Sequence, residues 1–228
     1  MEIIMDLEDS IEIFESASPG VVPFFMQENF VDETLELEVY SDAEDIAREF
    51  LSLFEGRYFS DKAMLFLSER IGKYLEDKGY SLERGSKGRY YNCFEIRDAE
   101  KVNTSLIKEN TEQLTDIINS KITFDTGELL IRSLPAFITR EDDSAVSIAT
   151  VNEYEEGQIM LEVTVETSPE YRKRGYAESN TAALSKYLLE RGYHLSYCSS
   201  RYNRASEKIA KKVGFERVGR FYAVAGYR

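Results

Sequence analysis

Polar and apolar positions alternate most cleanly at Ile159-Met160-Leu161-Glu162-Val163-Thr164-Val165-Glu166. Leu161, Val163 and Val165 share one face; Glu162, Thr164 and Glu166 share the other, so a period of two predicts a strand. The period then lengthens. Ala177, Thr181, Leu184 and Leu188 fall on one face of a helix expected over 178–191, with Gly192 as its stop. Between them lies a basic turn, Thr167-Ser168-Pro169-Glu170-Tyr171-Arg172-Lys173-Arg174-Gly175-Tyr176-Ala177. The first turn of a helix offers unpaired N–H groups and the positive end of its dipole. Gly175 and Ala177 keep side chains small where an anion must approach the backbone, and Arg172, Lys173 and Arg174 add charge. A strand entering a helix through such a turn is built for phosphate or pyrophosphate. The competing reading, a simple turn glycine beside solvated cations, is weaker because cations at that end of a helix oppose its dipole.

The same patterns organise the rest of the chain. Leu35, Leu37 and Val39 alternate with Glu36 and Glu38, a half-buried strand. Ser41-Asp42-Ala43-Glu44 reads as a capping box opening a helix, with Ile46, Ala47, Phe50, Leu51 and Phe54 on one side and Gly56 after it. A second helix is expected over 61–78, turning Leu67, Ile71, Tyr74 and Leu75 inward and ending at Gly79. The polar, glycine-containing stretch Ser81–Gly88 marks a boundary between an acidic α+β unit, 1–85, and a second domain, 86–228. In the latter, strands are expected at 90–97, 135–139 and 145–154, and a helix at 105–119. Beyond the basic turn and its helix come a strand at 193–200, a helix from Asn203, and a pair of short strands around 215–227.

At 43% hydrophobic and 31% charged residues over 228 positions, the chain has a soluble globular composition with material for one large or two small cores. No apolar run is long enough to cross a membrane, and the N-terminus lacks the basic start and apolar core of a signal peptide. Cys93 and Cys198 have no metal-like spacing and read as reduced, part-buried thiols; with His194 as the single histidine, no metal is expected. A cytoplasmic protein is expected. The net charge of −14 is uneven: residues 1–85 hold 21 acidic and 7 basic side chains, 86–169 hold 16 and 8, and 170–228 hold 5 and 13. The basic last quarter would settle an anionic ligand, while the acidic remainder would draw an amine and disfavours nucleic acid. For 1–85, an aid to solubility is the favoured reading of the acidity.

The spacing Arg-x-x-Gly-x-Ala over Arg172, Gly175 and Ala177, with Pro169 ahead of it, resembles the cofactor-binding motif of the GCN5-related N-acetyltransferases (GNAT). A second signature of that family is matched by Asn203-Arg204-Ala205-Ser206 at a helix start and Lys212-Val213-Gly214-Phe215 at its end. The resemblance implies an α/β (α+β) fold: a mixed sheet, splayed beside the 159–167 strand, flanked by helices. It also implies an acyltransferase that moves an acetyl group from acetyl-CoA directly to a primary amine. A small-molecule amine is the expected acceptor, with 1–85 forming part of its pocket or a subunit contact in a homodimer. Acetylation of a protein N-terminus or lysine, and a non-catalytic acyl-CoA sensor, are the alternatives.

By resemblance, backbone groups near Val165 and Thr167 would pair with pantetheine, and Arg172, Lys173, Arg174, Gly175, Tyr176 and Ala177 with pyrophosphate. Asn203 and Ser206 would meet the pantetheine side, a role compatible with capping a helix. Glu162, ten residues before Arg172, matches a carboxylate that acts as base through water, and Glu166 is the second candidate. Either could instead line a solvated face or pair with a cation. The family's tyrosine, expected seven residues after Asn203, is replaced by Ala210. Tyr222 is the substitute considered for general acid, with packing as its competing role.

Overall fold

The computed structural model describes residues 2–6, 20–82, 88–114, 135–141, 144–151 and 157–227. In chain order these form β1 (Glu2–Asp6), β2 (Gly20–Asn29), β3 (Thr34–Val39), α1 (Glu44–Leu53), α2 (Asp61–Asp77), β4 (Ser81–Leu82) and β5 (Arg89–Ile96). There follow β6 (Thr111–Gln113), β7 (Phe137–Glu141), β8 (Ser144–Val151), β9 (Met160–Thr167), α3 (Tyr176–Leu189), β10 (His194–Ser200), α4 (Arg204–Val213) and β11 (Glu216–Tyr227). The chain divides into two compact units, Met1–Asn92 with Val218–Arg228, and Cys93–Arg217. Measured against the expected boundary at 85/86, the division lies within β5, and most of β11 returns to the first unit.

In the first unit β3 lies between β1, which it pairs in parallel, and β2, which it pairs antiparallel. β2 in turn pairs antiparallel with β11. Leu35, Leu37 and Val39 point into a core with Phe24, Met26, Phe50, Leu67, Ile71 and Leu75, which α1 and α2 supply from the apolar stripes read in the sequence. β1 and β2 were not anticipated. β2 carries a near-continuous apolar run interrupted by Pro23, a residue that argues against an interior strand. It is accommodated because the β2–β11 register slips between Val224 and Gly226, opposite that stretch, so no ladder bond is demanded of the missing N–H. In place of the two short strands expected around 215–227 there is one long β11, which runs through that irregularity.

α1 starts later than the Ser41-Asp42-Ala43-Glu44 stretch predicts. Ser41–Ala43 make a single 3-10 turn, and Ala43 stands at the N-cap of α1 without a side-chain cap bond. The Ala43 amide donates to the Tyr40 carbonyl at 2.8 Å, while the Asp42 carboxylate accepts from the Tyr74 hydroxyl of α2 at 2.5 Å and pairs with Lys78, the residue that ends that helix. Lys78, then Tyr74, hold the Asp42 carboxyl below its ordinary range.

The second unit orders its sheet β5-β10-β9-β8-β7-β6, mixed in direction: β9 pairs in parallel with β10 and antiparallel with β8. Leu161 and Val163 of β9, Leu195 and Tyr197 of β10, and Phe94 and Ile96 of β5 turn to one face, where Ala182, Leu184 and Leu188 of α3 and Ala210 and Val213 of α4 complete the core. Polar residues also lie within α3: Ser179, Asn180, Thr181 and Ser185 are buried, and Asn180 accepts from Thr139 of β7 at 2.9 Å. The helix expected over 105–119 is absent across its described part. Thr104–Leu106 form a 3-10 turn and Thr111–Gln113 pair with β7 as β6; positions 115–119 lie outside the described residues. Side chains compete locally with helix here, Ser105 bonding Asn103 at 2.6 Å, and the Lys108 amide donates to Ser179 at 2.8 Å. Gly214 ends α4 at φ 121°, and a Cβ there would collide with the Lys101 carbonyl, which explains the glycine of the second signature.

Asp42 sets a pH dependence. Its folded pKa is depressed, so its contribution is complete above the unfolded carboxylate range and disappears as pH falls through the folded value. Asp42→Asn should therefore lower the thermal midpoint at neutral pH, and the difference between the two proteins should shrink as pH falls through the folded Asp42 value, as followed by circular dichroism.

Candidate active site

A cleft of about 510 Å³ opens in the second unit where β9 gives way to α3. Its first wall is the edge of β9. Register with β10 runs from Met160↔His194 to Glu162↔Ser196 and stops, although β9 continues to Thr167 and β10 to Ser200. The other edge of β9 stays paired with β8, and the Ser168 amide donates to the Val146 carbonyl at 2.9 Å. Alternation along an antiparallel ladder then turns the amides and carbonyls of Val163, Val165 and Thr167 away from β8, toward the side β10 has left. Val165, Glu166 and Thr167 line the cleft there.

The basic turn forms the floor. After a 3-10 turn at Pro169–Tyr171, Arg172 is extended, Lys173 is left-handed at φ 63° and Gly175 left-handed at φ 79°, immediately before α3. Consecutive amides in alternating right- and left-handed backbone make a concave nest for an anion. A left-handed lysine costs of order 1 kcal/mol, strain of the kind concentrated at binding sites. At Gly175 a Cβ would lie 3.3 Å from the Lys108 side chain. Arg172 is fixed by its Nε donating to the Thr167 carbonyl at 3.1 Å, and Tyr176 by its hydroxyl donating to Glu141, which pushes the phenol's pKa up. Lys108 lies 5.3 Å over the Tyr176 ring.

The third wall is α4. Asn203 caps it, accepting from the Ser206 amide at 3.1 Å, so the capping role and a place in the cleft coexist. Ala205, Lys208, Ile209 and Lys212, spaced i, i+3, i+4 and i+7, face the cleft as one stripe. Lys212 pairs with Glu178 of α3 at 2.5 Å, whereas Lys173 and Lys208 make no hydrogen bond or ion pair among the described residues. Tyr197 reaches the cleft from β10, its hydroxyl 2.8 Å from the Ser206 Oγ. Burial raises its pKa.

Of the residues singled out in the sequence, Glu166, Val165, Thr167, Arg172, Lys173, Gly175, Tyr176, Ala177, Asn203 and Ser206 come together around this cleft. Three do not line it. Arg174 folds back over Tyr171, 4.9 Å from its ring, toward the Glu170 carbonyl. Glu162 is half-buried on the strand face opposite Leu161 and Val163, close enough to Cys198 to help raise that thiol's pKa. The larger causes of that rise are Cys93, 3.9 Å away, and burial. Tyr222 is 1% exposed in the core of the first unit, its hydroxyl donating to the Met64 carbonyl at 3.1 Å, so packing is the role it fills. Tyr197, Lys208 and Lys212 were not singled out as site residues. The lysines were legible as an i, i+4 pair following Asn203, but nothing in the spacing marks Tyr197. Among the described residues, no cluster of His, Cys, Asp and Glu could hold a metal, and no helix is long and apolar enough to cross a membrane.

The family model for GNAT acetyltransferases matches residues 67–224. Among solved structures, the chain is similar to a GCN5-related N-acetyltransferase-like protein from Streptococcus suis 89/1591, at 17% identity and TM-score 0.46, covering 79% of this chain and 76% of that one. A functionally unknown conserved protein from Staphylococcus epidermidis ATCC 12228 aligns at 10% identity and TM-score 0.49 over 96% and 95% of the two chains. An aminoglycoside N-acetyltransferase, AAC(6')-Iy, in complex with CoA aligns at 24% identity and TM-score 0.32 over 38% and 71%. A search of curated proteins finds no match.

The two lysines with no ion-pair partner should dominate anion binding. Lys173→Glu and Lys208→Glu should each weaken binding of inorganic pyrophosphate, read by calorimetry at low salt, by about tenfold or more, equivalent to about 1.4 kcal/mol.

Proposed function

The chain belongs to the GNAT acetyltransferase family, and on that premise we propose that it transfers an acetyl group from acetyl-CoA to a primary amine of a small molecule, directly, within a ternary complex. The observation that carries this reading is the meeting, in one cleft, of an open strand edge with a left-handed basic turn at a helix N-terminus. The donor substrate supplies an activated thioester joined through a peptide-like arm to a pyrophosphate, and each part has a chemical counterpart in the wall. The backbone of Val163, Val165 and Thr167 is oriented to bond an amide-bearing arm as an added strand would. The amides of 173–177, with Lys173 and the α3 dipole, suit a pyrophosphate. Gly175 keeps that approach free of a side chain.

On the acceptor side, Glu162, Thr164 and Glu166 present a half-buried polar strip on β9. In this reading Glu166, at the cleft, attracts the ammonium, and Glu162 takes its proton through water. A neutral amine is the nucleophile, so rate should rise with pH until the acceptor is deprotonated. Enzyme-side positioning at the open edge replaces the entropy cost of bringing the two substrates together. The expected cytoplasmic location and possible homodimer remain part of the same proposal.

Titration with acetyl-CoA tests the donor half. Wild type should bind in the micromolar range, and Gly175→Glu, which sets a carboxylate in the nest at a left-handed position, should bind at least about a hundredfold more weakly while staying folded. Equal binding by the two proteins would remove the turn from the site. Thiol release across a panel of small primary amines then tests the acceptor half; release with peptides alone would make this a protein-modifying enzyme, and tight binding without release would make it a sensor.

A further inference from the structure

Two thiols meet on the sheet face that turns away from α3 and α4. Cys93 alternates with Asn92 and Phe94 on β5, and Cys198 with Tyr197 and Ser199 on β10. Phe94 and Tyr197 fill the core, so both cysteines project to the opposite side. β5 and β10 are neighbours in the sheet, the two sulfurs lie 3.9 Å apart, and both residues are half-buried. On the next strand Glu162 stands on the same face, in register with Ser196, the residue two before Cys198. We propose that Cys93 and Cys198 are a dithiol site that a hydroperoxide oxidises to a reversible disulfide, with Glu162 taking the proton of the second thiol. The site stands apart from the acetyl-CoA reading, which uses neither sulfur.

The strand pairing suits such a bond. Neighbouring strands run about 4.8 Å apart, inside the separation of about 4.4–6.8 Å between Cα atoms that a disulfide spans. The sulfurs share a face, so the remaining gap is one that side-chain rotation can close. Two thiols can also lie together as small apolar residues, but that role belongs to a closed core. Here the face also carries Glu162, Ser196 and Ser200. Half-buried thiols in such surroundings are open to a molecule as small as a peroxide, and a second thiol in contact turns its attack into a reversible product.

Cys93, burial and Glu162 together keep the Cys198 thiol protonated, which leaves Cys93 as the sulfur that reacts first. With hydrogen peroxide, the Cys93 sulfur bonds one oxygen and the O–O bond breaks. The other oxygen leaves as water with the Cys93 proton, and Cys93 becomes a sulfenic acid. The Cys198 sulfur then bonds the Cys93 sulfur as the S–O bond breaks. Glu162 accepts the Cys198 proton and returns it to the departing hydroxide, which leaves as a second water. The two thiols give up two electrons and the peroxide takes them, so one peroxide and two thiols become one disulfide and two waters. Two molecules of glutathione reverse the change by exchange and leave as their own disulfide.

The test needs no CoA. The full chain is treated with hydrogen peroxide, remaining thiols are blocked with iodoacetamide under denaturing conditions, and peptides are mapped by mass spectrometry beside a non-reducing gel. Wild type should give a peptide linking Cys93 to Cys198 in a chain that runs as a monomer, and dithiothreitol should restore both thiols. Cys198→Ser should stop at a Cys93 sulfenic acid that dimedone traps. Glu162→Gln, which keeps both sulfurs, should close the disulfide at least about tenfold more slowly. Thiols that remain free after N-acetylcysteine in the same solution is consumed would overturn the proposal. So would links between chains, or sulfinic and sulfonic acids in place of the linked peptide. Closure at the wild-type rate in Glu162→Gln would overturn the role of the carboxylate.

Discussion

When β10 departs from β9 after Ser196, the peptide groups of β9 beyond the Val163 amide lose their strand neighbour on one side. Buried amides and carbonyls need partners, and here the partners must come from outside the sheet. The strand is held in place regardless, because its other edge remains in register with β8 from Val151↔Val163 to Ser147↔Thr167. One edge is therefore rigid and the other chemically unfinished. That asymmetry, rather than any single side chain, creates the site.

The helices follow from it. α3 must start where β9 ends, and the turn that reverses the chain places Lys173 and Gly175 in left-handed backbone beside the open edge. α4 starts just beyond the end of β10, so the same divergence brings its first turn, with Asn203 and Ser206, to the opposite wall. Two helix N-termini and a strand edge, each with unpaired N–H groups, thus surround one volume, and an anionic, amide-bearing ligand complements all three. Glu178 and Lys212 tie the two helices together across it.

The side chains show a division of labour. Lys173 and Lys208 line the cleft with no hydrogen bond or ion pair among the described residues and are available to a ligand, whereas Arg172 and Lys212 hold the walls. Arg174, equally basic in sequence, does not line the cleft and lies over the Tyr171 ring.

The sequence by itself determined the strand–turn–helix at 159–191, the α4 signature and the side of β9 that is polar, because these depend on local periodicity, on glycine at positive φ and on helix ends, all set within a few residues. It likewise determined the apolar stripe of α2 and the alternation of β3. What only the tertiary structure decided were relations between distant segments. Pro23 sits in a paired strand because β11 slips opposite it, and 104–113 become a 3-10 turn and an edge strand because β7 and Ser179 offer them bonds. Tyr222 and Tyr197 carry the same local signal, an aromatic residue in a strand. Only packing sends one hydroxyl to the Met64 carbonyl and the other to Ser206, since which space a ring fills depends on the residues that leave it empty.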